Sequence, residues 1–223
     1  MKTVIMQPNY MPWIGYMNLM KQADVFVVYD DVQYTKNDWR NRNKIKTPNG
    51  SMWLTIPICK LKGTMIKDAR VNDRFNWRDL HLKALRMNYA RSTYFDEIYL
   101  IIETVLKSHL EHLYLINMEI ISQLCKYLEI KTRIEYSSGI GFNKLKKTDR
   151  LVEICKKLKT TEYLSPNKSA EYIEPEKFEA AGINLLWHNY QHPKYQQLWG
   201  EFVEYLSVVD LLFNHGKKSR ELI

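Results

Sequence analysis

Lys2-Thr3-Val4-Ile5-Met6-Gln7-Pro8-Asn9-Tyr10, followed by Val25-Phe26-Val27-Val28-Tyr29-Asp30-Asp31, is the stretch whose reading decides the fold. Each half is a short, β-branched, continuous apolar run, the pattern of a strand covered on both faces of a parallel sheet. Each run stops abruptly at polar residues: Gln7-Pro8 in the first, the carboxylate pair Asp30-Asp31 in the second. Between them Pro12 to Lys21 reads as a helix with Pro near its first turn. Residues 2–29 are therefore expected to form a β-α-β unit. Open sheets of this kind bind ligands beyond the carboxyl ends of their strands.

Outward from that unit, residues 30–50 are polar and close on the turn signal Pro48-Asn49-Gly50. Ser51 to Ile58 reads as a strand, with Thr64 to Val71 as its expected partner. Apolar residues recur at helical spacing from 78 to 128, predicting two or three helices. The α/β rhythm then returns. Strands are expected at Arg133–Tyr136, Glu162–Leu164 and Ile183–Trp187, helices at Thr148–Leu158 and over 199–222. The expected fold is a single α/β domain over 1–223, three-layered and Rossmann-like with a mostly parallel sheet, carrying a helical insertion at about 78–128.

Hydrophobic residues make up 45% of the 223 and charged residues 26%, an ordinary globular balance, while aromatics reach 13% with 15 Tyr. The net charge of +8 favours an anionic partner. It concentrates in Lys36, Arg40, Arg42, Lys44 and Lys46, and again over 144–159, which reads as the wet face of a helix. Cys59, Cys125 and Cys155 share no metal-like spacing, and no apolar stretch approaches the ~20 residues of a membrane span. A reduced cytoplasmic protein with no membrane span and no metal site is expected.

The strings Gln7-Pro-Asn-Tyr10, Pro12-Trp-Ile-Gly-Tyr16, Asp30-Asp-Val-Gln-Tyr34, Trp39-Arg-Asn-Arg-Asn43 and Trp53-Leu-Thr-Ile-Pro57 resemble the WbqC-like family. The resemblance continues at Thr148-Asp-Arg150, Tyr163-Leu-Ser165, Tyr190-Gln-His-Pro193, Tyr195-Gln-Gln197 and Asp210-Leu-Leu-Phe-Asn214. It implies a place in bacterial O-antigen and surface-polysaccharide biosynthesis, and so work on an activated sugar. Trp13-Ile-Gly-Tyr16 is also similar to the His-Ile-Gly-His-type motif of nucleotidylyltransferases, with aromatics in place of both histidines.

Residue chemistry assigns roles within that pathway. Arg40, Arg42, Lys44 and Lys46 recur with a period of two, as on one face of an extended segment, and Arg40, Arg42 and Lys46 would clamp a diphosphate. Trp39, Tyr10 and Tyr34 would wall a sugar or base, with Trp53 a further stacking ring. His192 is the expected general base, with neighbouring His188 able to exchange roles, and Asp30 orients the amine. Gln7, Trp13, Tyr16, Asp31, Gln33, Asn41, Ser165 and Tyr195 complete the expected substrate-binding set. The expected reaction is transfer of an acyl or aminoacyl group to the amine of a nucleotide-linked amino sugar. No tightly bound cofactor is expected; the donor would be an acyl-CoA or an aminoacyl carrier, the latter bringing an acyl carrier protein as partner. The alternatives are ATP-dependent carboxylate activation and a non-catalytic module binding sugar or nucleic acid. Nucleic acid is disfavoured as a partner.

Overall fold

Five strands hydrogen-bond in parallel: β1 (Lys2–Met6), β2 (Val25–Val28), β5 (Arg133–Tyr136), β6 (Glu162–Pro166) and β7 (Asn184–His188). The computed structural model in which they are seen describes residues 1–59 and 63–223. Their order is β5-β2-β1-β6-β7, so the strand order reverses between β1 and β6. Residues Val25 to Val28 of β2 are all buried, as their unbroken apolar run requires. The protein has a mixed α/β, Rossmann-like fold whose five-stranded parallel sheet is flanked by helices.

The chain divides into two compact units. The first comprises Met1–Gln7, Asn18–Val32 and Lys131–Gln191; the second comprises Pro8–Met17, Gln33–Ile130 and His192–Ile223. The division passes through helix α1 (Ile14–Gln22). In the first unit, α5 (Ser137–Ile140), α6 (Lys147–Leu158) and α7 (Pro175–Ala180) accompany the sheet. Ile5, Val25 and Val27 pack with Leu151, Ile154, Cys155 and Phe178 in one core cluster. Tyr163 and Phe178 stack within it, centroids 4.8 Å apart. The exposed lysines of α6 face away from this core, as their spacing predicts.

The second unit holds the antiparallel pair β3 (Arg42–Thr47) and β4 (Gly50–Thr55) and the helices α2 (Trp77–Tyr89), α3 (Phe95–Leu106), α4 (Leu113–Tyr127), α8 (Val208–His215) and α9 (Ser219–Leu222). The pairing expected between residues 51–58 and 64–71 is replaced. β4 pairs along its length with β3; of the expected pairing the single bridge Ile58–Val71 is present, and 64–71 otherwise makes the isolated bridges Gln33–Met65 and Arg70–His112. The reason lies in the alternation of β3. Asn43 and Ile45 turn inward while Arg42 and Lys44 stay accessible, so a segment polar in sequence is half-buried in register.

Buried asparagines tie the loops of this unit together. Asn43 Nδ2 donates to the Met11 carbonyl (2.7 Å), and Asn117 Nδ2 donates to the carbonyls of Pro8 (3.0 Å) and Arg40 (2.8 Å). His81 on α2 is equally enclosed. Its Nδ1 lies 2.9 Å from the Tyr10 hydroxyl, and the Thr55 backbone supplies a second hydrogen bond. Burial lowers its pKa from 6.5 to about 4. The unfolded chain takes up this proton near pH 6.5 and the folded chain only near pH 4. His81 therefore contributes stability above pH 6.5 that is lost as pH falls toward 4, amounting to about 3 kcal/mol. His81→Gln is expected to be less stable at pH 7 but to show a flatter decline over that window. Urea midpoints of both proteins at pH 7 and pH 4.5 check this; equal declines would assign the acid sensitivity to other groups.

Candidate functional site at the carboxyl edge of the parallel sheet

The carboxyl ends of β1, β2, β5, β6 and β7 deliver Gln7, Asp30-Asp31, Ser137-Ser138, Ser165 and His188. Gln7 follows β1 and Ser165 is the penultimate residue of β6, the two strands between which the order reverses, the position where open α/β sheets take ligands. Gln7 is half-buried and Ser165 fully buried.

The carboxylate pair has local work. Asp30 is buried, and its Oδ2 accepts from Ser138 Oγ (2.7 Å) while its Oδ1 accepts from the Ser138 backbone N–H (3.0 Å). It thereby holds the first turn of α5 against the end of β2. Ser137 Oγ lies 3.0 Å from Asp30 Oδ1 and 2.5 Å from Asp31 Oδ1, one proton between two carboxylates. Asp31 Oδ2 accepts from Arg150 at 2.6 Å, and the side chains of this pair are 9% and 4% exposed. The Arg150 guanidinium also sits 4.9 Å from the Tyr29 ring centroid. Neighbours in sequence, Asp30 and Asp31 thus serve different partners, as side chains on opposite sides of an extended chain must.

His188 ends β7 and is buried. Its Nε2 lies 2.6 Å from Asn18 Oδ1, which also accepts from Gln22 Nε2 at 2.5 Å. An oxygen acceptor there makes Nε2 the protonated nitrogen and leaves Nδ1 with its lone pair, with no hydrogen-bond partner among the described residues. The ring stacks on Tyr190, centroids 5.4 Å apart. Burial lowers the imidazole pKa, so the ring is neutral at neutral pH. A neutral imidazole oriented by an amide through one nitrogen and open at the other has the build of a general base.

The other expected residues lie in the second unit. Both nitrogens of His192 meet backbone groups: Nδ1 donates to the Pro193 carbonyl (2.9 Å), and Nε2 accepts from the Tyr205 N–H (3.2 Å). Tyr195 donates to Asp210 Oδ2 (2.9 Å) and Tyr89 to Asp210 Oδ1 (2.7 Å), inside a buried network in which burial raises the Asp210 pKa. Lys46 is buried, its Nζ donating to Gln197 Oε1 (3.0 Å) and to the Glu201 carbonyl. Arg40 pairs with Asp38 and Thr35. Asn41 is buried and donates to the Ile56 carbonyl (2.8 Å). Tyr10 and Tyr16 are fully buried, Tyr34 is half-buried with burial pushing its pKa up to about 12, and Gln33 is exposed. Trp13 lies over Gly15 so closely that a Cβ there would meet its ring at 2.2 Å, so the first turn of α1 is roofed by an indole. Trp39 and Arg42 stay accessible beside Trp53. Of the expected set, then, Gln7, Asp30, Asp31 and Ser165 gather at the carboxyl edge of the sheet. Tyr34, Trp39, Arg40, Asn41 and Arg42 share the segment leading into β3. Sequence reasoning passed over Asn18 and Asn117, whose partners lie 170 and 77 residues away in the chain.

The profile of the WbqC-like protein family matches residues 7–222. The chain belongs to the WbqC-like protein family. Membership suggests a role in surface-polysaccharide biosynthesis. This WbqC-like chain is 36% identical over 230 residues to the uncharacterized protein Rv1507c of Mycobacterium tuberculosis, an alignment covering 100% of the chain and 97% of that relative. No solved structure matches it. Among the described residues no helix is long and apolar enough to cross a membrane, and no three His, Cys, Asp or Glu side chains are grouped as metal ligands. The three cysteines are unpaired, and burial pushes the thiols of Cys125 and Cys155 up to about 12, as befits small core residues.

Proposed function

We propose that this WbqC-like protein transfers an acyl or aminoacyl group to the amine of a nucleotide-linked amino sugar during surface-polysaccharide synthesis. The observation that carries this reading is the His188–Asn18 pair at the carboxyl end of the sheet. Amine acylation needs a base that is neutral at working pH and aimed by a second group. His188 Nδ1 takes a proton from the sugar ammonium. The freed nitrogen attacks the carbonyl carbon of a thioester donor, an acyl-CoA or an aminoacyl carrier. The C–N bond forms and the C–S bond breaks; the leaving thiolate receives the proton held by His188, and the second proton shed by the acylated nitrogen passes to solvent. Asp30 and Asp31 support the site by fixing α5 and α6 rather than by reacting, because their oxygens are already occupied. Ser165 and Gln7 stand where a sugar hydroxyl would be recognised.

Incubation of the purified chain with UDP-, dTDP- and GDP-linked amino sugars and an acyl-CoA panel, read by mass spectrometry, tests this. The expected product is heavier than its sugar by one acyl group and requires the free amine; the N-acetylated sugar is expected to be inert. Product formation only with ATP and a free carboxylate would transfer the assignment to carboxylate activation.

A further inference from the structure

The β3–β4 hairpin carries a surface that its own fold does not use. Trp53 of β4 faces Lys44 of β3 directly across the ladder, with Arg42 one diagonal step away, so the three side chains share one face of the hairpin. The Arg42 guanidinium lies 4.2 Å from the Trp53 ring centroid, and Lys44 Nζ lies 4.9 Å from it. Trp39 stands beside them, its centroid 5.6 Å from that of Trp53 and its plane tilted by 45°. Both indoles stay open, 40% exposed at Trp39 and 39% at Trp53. The carboxylate nearest in sequence, Asp38, is occupied by Arg40. Among the described residues no carboxylate pairs with Arg42 or Lys44.

Two unneutralised cations beside two exposed rings define a ligand that is flat at one end and doubly anionic at the other. Stacking holds a guanidinium by its face and leaves its edge free for a bidentate contact with phosphate. The Arg42 Nε is sequestered, so the terminal nitrogens form that edge. Lys44 supplies a point charge next to it, matching a second phosphate. An exposed indole stacks on a nucleobase without regard to its sequence context.

We infer that the Trp39–Trp53–Arg42–Lys44 platform binds the nucleoside diphosphate portion of a nucleotide-linked substrate, base on indole and phosphates on the two cations. This rests on reading the substrate as a nucleotide-linked sugar. It assigns recognition to Trp53 and Lys44, and it leaves Arg40 and Lys46 to their internal partners.

Calorimetric titration of the full chain with UDP, dTDP and GDP, with the matching nucleosides, with inorganic pyrophosphate and with a short single-stranded oligonucleotide tests the inference. At least one nucleoside diphosphate is expected to bind and to quench tryptophan fluorescence. Trp53→Ala is expected to weaken binding about tenfold or more, and Trp53→Phe to retain most of it. Arg42→Gln with Lys44→Gln is expected to weaken the diphosphate but not the nucleoside, and to flatten the salt dependence. Trp53 is exposed and Arg42 and Lys44 are part-exposed on the hairpin, and an unchanged melting temperature certifies the fold of each variant. Binding of pyrophosphate as tight as that of the diphosphates, binding of the oligonucleotide alone, or diphosphate affinity unmoved by these substitutions overturns the platform. So does failure of every nucleoside diphosphate to bind. The two readings fail separately. Lost nucleotide binding in the platform variants, together with an absence of acyl transfer in the parent protein, would keep the platform and discard the reaction. Acyl transfer with an unaltered KM in those variants would do the reverse.

Discussion

Arg150→Ala is expected to cost about 3–5 kcal/mol of stability, the range for breaking a buried ion pair from one side. Arg150 reaches Asp31 at 2.6 Å with both side chains almost wholly enclosed. Truncation strips Asp31 of its counter-charge and leaves the Ser137 hydroxyl as its remaining partner. It also removes the guanidinium from the Tyr29 ring. In a chain of this size the loss corresponds to a melting temperature lower by roughly 10 °C. Most of that cost is the penalty of an orphaned buried charge rather than the net worth of the pair. Arg150→Met combined with Asp31→Leu is therefore expected to recover a large part of it. Denaturant titration of the parent, the single variant and the double variant measures both. A loss below 1 kcal/mol for Arg150→Ala would mean that water reaches this pair and that it does not organise the sheet edge.

His188→Asn is expected to lower turnover by about 10²–10⁴-fold, the contribution typical of a positioned general base, with the fold retained. The more discriminating variant is at its partner. Asn18→Asp would place a carboxylate against the imidazole at the present 2.6 Å contact and raise its pKa. In the proposed reaction the neutral ring is the active form, so the rate is expected to be lost as pH falls through the His188 pKa. In the parent protein burial holds that limb below the ordinary imidazole value of 6.5, and activity should be level at pH 7. In Asn18→Asp the limb should move to higher pH while the plateau above it persists. A pH profile identical to the parent's would remove His188 from the reaction.

How far the sequence reached can be followed residue by residue. β1 was legible to its last residue because a continuous apolar run ended by Gln-Pro has few other uses. The helices between 77 and 127 were legible through their repeating apolar faces, though not their number. β3 was hidden because its outward residues are charged and its inward ones include Asn43 and Lys46; only the period of two in its cations betrayed an extended segment. Lys46 shows the limit of that signal. It shares a face with Arg42 and Lys44, yet it is buried and bonded to Gln197 and Glu201.

Chain order by itself determined the five strands of the parallel sheet, the helical stretch between 77 and 127, the family and the list of polar residues at strand ends, because these follow from local periodicity and from motif strings. Which of those residues are free to act was decided only by tertiary structure. Hydrogen-bond partners are recruited across long separations, 107 residues for Asp30 with Ser137, 119 for Asp31 with Arg150 and 170 for His188 with Asn18. A carboxylate saturated by serines and an imidazole with one nitrogen left open look alike in sequence. Burial and the direction of a single donor separate them.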